Sequence, residues 1–117
     1  MTDRELLERA AKAAGIELRW LDEVKPGYFD ADASLWRDWN PLTDDGDALR
    51  LGAAVVMSLT YRKVVGSKQG EVAVTAHGHH AVEGYSDDYM AATRRAIVRA
   101  AASMADKSVQ LGKGGRE

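Results

Sequence analysis

Apolar residues near the start of the chain recur at helical spacing. Leu6, Ala10 and Ala13 form one stripe, Leu7 and Ala14 widen it, and Arg4, Glu8, Arg9 and Lys12 cover the opposite side. Thr2 and Glu5 have capping-box spacing and Gly15 supplies a left-handed stop, so the pattern predicts a helix over 2–14. Ile16, Leu18 and Trp20 then alternate with Glu17 and Arg19, the period of a half-buried strand over 16–21. Pro26-Gly27 interrupts regular structure, and from there to Pro41 the chain reads as a long loop.

A second helix is predicted over 43–56, capped by Thr43, with Asp44, Asp45 and Asp47 answering the helix dipole in its first turn. Its apolar stripe is read as Leu49, Gly52, Ala53 and Val56. Residues 57–65 and 71–77 alternate as strands around the turn residues Gly66 to Gly70, which makes a hairpin. Residues 80–85 read either as a further short strand or as the approach to the last helix. The third helix is predicted over 87–106, capped by Ser86, with Tyr89, Thr93, Ile97, Ala100 and Met104 along one face. The buried set expected from these patterns is Leu6, Ala10, Ile16, Leu18, Leu49, Val56, Val72, Val74, Ile97 and Met104.

Hairpin-linked strands among helices define an α+β class. The expected architecture is one domain over 1–111, an α/β/α sandwich with a small antiparallel sheet between helical layers, followed by a flexible tail over 112–117. The 117 residues are enough for one core. The 45% hydrophobic and 29% charged composition excludes wholesale disorder. With no cysteine, thiolate catalysis and cysteine-based metal sites are excluded. A formal charge of -2 gives no global polycation for nucleic acid or anionic membrane. The start carries no signal-like apolar segment, and Ala53–Met57 is far short of the ~20 residues needed to span a bilayer. The cytoplasm of a host cell is the compartment expected.

Trp39-Asn40-Pro41-Leu42-Thr43-Asp44-Asp45-Gly46-Asp47-Ala48-Leu49-Arg50-Leu51 resembles the signature segment of small bacteriophage proteins of the phage ABA-sandwich domain family. The segments Leu6–Gly15 and Ala92–Ala101 resemble that family's first and last helices, with the weakest match over 52–85. The resemblance implies an α/β/α sandwich and a phage or prophage context. It implies no reaction or ligand, so no functional residue is carried over.

Candidate chemistry lies in four places. Residues 20–39 hold Trp20, Tyr28, Phe29, Trp36 and Trp39, which stack on nucleobases, anchor a protein partner, or fold back to plug the core. This region is acidic, with eight acids and two bases over 22–47, which disfavours phosphate lying over it. Asp44, Asp45 and Asp47 either complete a helix start or attract a cation, although their spacing is not that of an EF-hand. His77 and His79 are candidate metal ligands on one strand face, without a third ligand at a defined spacing; the alternative is a turn bending at Gly78. Arg94, Arg95 and Arg99 form a basic face on the last helix, suited to a nucleotide, nucleic acid or acidic partner, or simply solvated.

No P-loop, dinucleotide fingerprint, nucleophile elbow or HExxH motif occurs. The reading is therefore a non-enzymatic accessory protein without a cofactor that binds a host or phage protein. Trp36 and Trp39 are its expected anchors and Arg94, Arg95 and Arg99 a second surface. A homodimer joining the acidic middle to the basic helix is a further expectation. The alternatives are a nucleotide or nucleic-acid binder using the arginines, and a hydrolase whose site is assembled only in the fold.

Overall fold

A computed structural model describes the backbone of residues 1–22, 25–63 and 65–114, and side chains as far as residue 105. Helix α1 spans Asp3–Ala14. Thr2 Oγ1 accepts from the Glu5 N–H at 3.1 Å, and Glu5 Oε1 accepts from the Thr2 N–H at 3.1 Å, which completes the expected capping box. Gly15, at φ 76°, ends the helix in the left-handed conformation and donates to the last-turn carbonyls. Leu6, Leu7, Ala10 and Ala11 are its buried face.

The expected long loop is a correction. Strands β1 (Arg19–Leu21), β2 (Lys25–Asp30) and β3 (Leu35–Asp38) form an antiparallel sheet with β2 in the middle. Pro26 and Gly27 lie inside β2 rather than breaking it. Gly27 is required there, because a Cβ would clash with the Trp36 ring and the Arg37 carbonyl on β3. A dipeptide that signals a turn locally is thus kept in a strand by a neighbour ten residues on.

Helix α2 spans Asp45–Val55, and its cap is Asp44 rather than Thr43: the Asp44 carboxylate accepts from the Asp47 N–H at 2.8 Å. The buried stripe also differs from the expected one. Ala48, Leu51, Gly52 and Val55 face inward, whereas Leu49 and Val56 are 73% and 71% exposed. Two neighbouring apolar stripes exist on this helix, and contact with the last helix selects Ala48, Leu51 and Val55, with Gly52 between them near the Ile97 side chain.

Strands β4 (Ser58–Lys63), β5 (Gly70–Ala76) and β6 (His79–Tyr85) form the second antiparallel sheet, in that order; the β4–β5 hairpin is the one expected, and the stretch before the last helix is a full third strand. The β5–β6 turn is the two-residue pair His77-Gly78, with φ 50° and 83°, which matches the twist of the flanking strands. Helix α3 spans Tyr89–Gly114. Asp88, not Ser86, occupies its capping position, accepting from the Ala91 N–H at 2.9 Å. Of the expected tail, residues 112–114 continue the backbone of α3, and 115–117 lie outside the described residues.

The result is one α+β domain with the three expected helices, a second sheet where a loop was expected, and a different order of layers. α3 packs on β5 and β6 with one side and on α1 and α2 with another. Val72, Val74 and Ala81 of the sheet, Leu51 of α2, Leu6 of α1 and Ala96, Ile97, Val98, Ala100 and Ala101 of α3 share one core. The opposite face of the sheet carries Thr60, Arg62, Glu71, Thr75 and His80 and is left to solvent, which an antiparallel sheet permits. The sheet is therefore an outer layer and α3 the central one, because α3 has small apolar residues on nearly every side and the sheet has them on one. Of the expected core, Leu6, Ala10, Val72, Val74 and Ile97 are buried, and Ile16, Leu18 and Met104 are half-buried. Among the described residues, no helix is long and apolar enough to cross a membrane.

Candidate functional site

The pairing of the β1–β3 sheet sorts its side chains onto two faces. Trp20, Pro26 and Tyr28 share one face, and Trp20 and Tyr28 pack against the core. The Arg4 guanidinium lies 4.4 Å from the centre of the Trp20 ring and covers it. Leu21, Lys25, Phe29 and Trp36 share the outer face. Phe29 and Trp36 are directly opposed across β2 and β3, and the Trp36 ring lies back over Gly27. The Trp36 Nε1–H donates to the Asp38 carboxylate at 2.8 Å, which fixes the indole along its own strand. Phe29 beside it is 57% exposed, and Leu21 on the same face and Leu35 at the hairpin end are exposed as well.

This redistributes the expected anchors. Trp39 is only 3% exposed and belongs to the core, so it is corrected from a surface anchor to a packing residue. Its N–H donates to the Pro26 carbonyl at 3.0 Å, which draws the chain after β3 against β2. Trp36 remains on the surface, half-buried. Phe29 takes the exposed place that sequence reasoning assigned to Trp39. The alternation that identifies Phe29 as outward becomes readable only once Pro26-Gly27 is accepted as strand.

Two adjoining hollows of about 450 and 540 Å³ lie between β2–β3 and the start of α2, with Asp38, Asp47 and Arg50 in both. Asp47 is buried and fully engaged: one carboxylate oxygen accepts from the Asn40 N–H at 2.9 Å and the other from Arg50 at 2.6 Å. The Asp47 carboxylate in turn raises the Arg50 pKa above its ordinary value. The aspartates of this helix start therefore serve capping and tethering. Among the described residues, no group of three or more His, Asp or Glu side chains is placed to hold a metal ion.

The three histidines diverge. His77 Nε2 meets the Val55 carbonyl at 3.0 Å, His79 Nδ1 meets Ser103 Oγ at 2.9 Å, and His80 Nδ1 lies 3.4 Å from Thr75 Oγ1. His77 sits in the hairpin turn, so it does not share a strand face with His79 as expected.

The three arginines also diverge, each toward an acid. Arg94 donates to the Leu42 carbonyl at 2.9 Å and to Asp45 at 2.6 Å, tying α3 to the entry of α2. Arg95 donates to Asp3 of α1 at 3.2 Å. Arg99 donates to the Val82 carbonyl at 3.1 Å and pairs with Glu83 of β6. Arg95 and Arg99, with Glu83, Leu6 and Ser103, line a hollow of about 530 Å³ between α1, α3 and β6. The acidic middle and the basic helix thus meet within one chain through Asp45 and Arg94. No family model matches this chain, and neither a curated protein nor a solved structure matches it.

Proposed function

We propose that this is a phage or prophage accessory protein that acts without catalysis, by binding a host or phage protein through the outer face of the β1–β3 sheet. The carrying observation is Phe29, exposed beside Trp36 on a small sheet whose main chain makes few close approaches to the rest of the fold. Exposed aromatic and aliphatic residues grouped on a rigid ladder are suited to filling a pocket on a partner. The resemblance of the Trp39–Leu51 segment to the phage ABA-sandwich family supports the context, and with it action inside an infected cell. The ion pairs made by Arg94, Arg95 and Arg99 count against the nucleic-acid alternative, because the acids that neutralise them also repel phosphate.

Affinity capture from host lysate tests the proposal, with wild type, Phe29→Ser and the exposed control Val82→Ser compared by mass spectrometry. A protein retained by wild type and the control and lost with Phe29→Ser is expected. Retention unaffected by Phe29→Ser, or recovery of nucleic acid alone, overturns it.

A second reading, the hydrolase, draws on one observation: the hydrogen bond between His79 and Ser103 at the rim of the hollow holding Arg95 and Arg99. Those groups supply a base, a hydroxyl nucleophile and cationic donors. This reading expects covalent labelling by a fluorophosphonate that Ser103→Ala abolishes; an unlabelled native protein removes it.

A further inference from the structure

The two edges of the β4–β6 sheet are treated differently. On β6, the Arg99 guanidinium takes up the Val82 carbonyl. On β4, among the described residues, only β5 hydrogen-bonds the main chain, and all six residues from Ser58 to Lys63 are exposed. Alternate N–H and C=O groups of such a strand point away from its neighbour and are left to pair with something else.

The helix-side face of this edge is also uncovered. Leu59 and Tyr61 lie opposite Val74 and Val72, whose side chains are buried under α3. α3 packs beneath β5 and β6, so Leu59 and Tyr61 remain 40% and 49% exposed, although the Tyr61 hydroxyl reaches Thr93 of α3 at 2.8 Å. Val65, just past the strand, is almost wholly exposed.

We propose that β4 pairs antiparallel with β4 of a second copy of this chain, about a two-fold axis through Thr60, so that two three-stranded sheets become one of six strands. The strand is self-complementary in this register. Leu59 faces Tyr61 of the second copy on the helix side, which gives two aromatic–aliphatic pairs across the axis. On the wet face Thr60 faces Thr60, and Ser58 faces Arg62 of the second copy. Charges on an edge strand commonly discourage pairing, but here no two like charges are directly opposed.

Continuing the same register sets Lys63 opposite Met57 of the second copy, one residue past the C-cap Val56 of its α2. The last turn of α2 contains no basic residue, so its negative dipole end lacks a cation from its own helix. Lys63 of each copy would supply it to the other. This charge complementarity favours a second copy over an unrelated strand. It also differs from pairing between the acidic middle and the arginine helix, which is satisfied within the chain.

The chain has no cysteine, so a single introduced thiol reports on contact between copies. Wild type should scatter light with twice the 12.7 kDa mass of one chain at micromolar concentration. Thr60→Lys, on the wet face, should return the mass to that of one chain with an unchanged circular dichroism spectrum. Under mild oxidation Thr60→Cys should cross-link roughly tenfold or more faster than the exposed control Val82→Cys, because pairing raises the local thiol concentration. A monomeric wild type, a dimer that survives Thr60→Lys, or cross-linking no faster than the control overturns the proposal.

Discussion

The imidazole of His77 donates from Nε2 to the main-chain carbonyl of Val55, 3.0 Å away, and so joins the β5–β6 turn to the C-terminal end of α2. A carbonyl only accepts, so Nε2 carries the proton. The contact satisfies one of the orphan carbonyls that every helix leaves at its end. It is possible because His77 takes φ 50° in the hairpin turn, a conformation histidine tolerates better than most residues.

His77→Ala should therefore lower stability by about 1 kcal/mol, the net worth of a typical hydrogen bond, and lower the melting temperature by several degrees. His80→Ala, whose nearest partner is a threonine hydroxyl 3.4 Å away, should change it much less. Thermal melts followed by circular dichroism compare the two directly.

Val56→Gly should stabilise the protein. Val56 ends α2 at φ 56°, where a β-branched side chain is strained by about 1–2 kcal/mol. The side chain is mostly exposed, so its removal loses little burial. Glycine is less ordered in the unfolded chain, which offsets part of the gain. A rise of about 1 kcal/mol in urea unfolding, with an unchanged slope, is the outcome expected.

Asp47→Ala should cost about 1–2 kcal/mol, because it leaves the half-buried Asn40 N–H without its acceptor, whereas the exposed Arg50 guanidinium is left to water. The same change should loosen the segment around Trp39, visible as a shift in tryptophan fluorescence. Asp47→Asn retains an acceptor for one partner and should lose less.

Two carboxylates make stability depend on pH. Hydrogen bonds from the Thr2 backbone and hydroxyl hold Glu5 below its ordinary pKa of 4.5, and the Arg37 side chain holds Asp30 below 3.8. Their folded values are the lower ones, so their contribution is present above the ordinary values and is lost as pH falls through the folded ones. Asp30→Asn should melt below wild type near neutrality, and the gap should close as the medium is acidified below about pH 4. A gap that persists unchanged into strong acid would contradict this assignment.

Some of the fold is legible in short stretches of sequence. Thr2, Glu5 and Gly15 delimit α1 because capping is local chemistry. The alternation of Val72 and Val74 with Glu71 and Ala73 marks β5 because a period of two needs no partner to be recognised. The β1–β3 sheet is hidden for the opposite reason. Pro26-Gly27 imitates a turn, and the Trp36 ring that makes glycine necessary there approaches from another strand. The site is less legible than the fold, because Trp39 and Phe29 are both aromatic and only packing sends one inward and the other out.

The amino-acid sequence by itself determined the α+β class, the three helices and the β4–β5 hairpin, since spacing and caps act between residues close along the chain. For α2 the helical spacing pointed to Leu49 and Val56, although Ala48, Leu51 and Val55 recur at the same spacing one position away. Only the tertiary structure decided that Ala48, Leu51 and Val55 are the ones buried against α3, that α3 rather than a sheet is the central layer, and that Arg94, Arg95 and Arg99 reach three different elements. Periodicity sets the spacing of a face, whereas burial and pairing depend on what that face meets, and those partners lie far away along the chain.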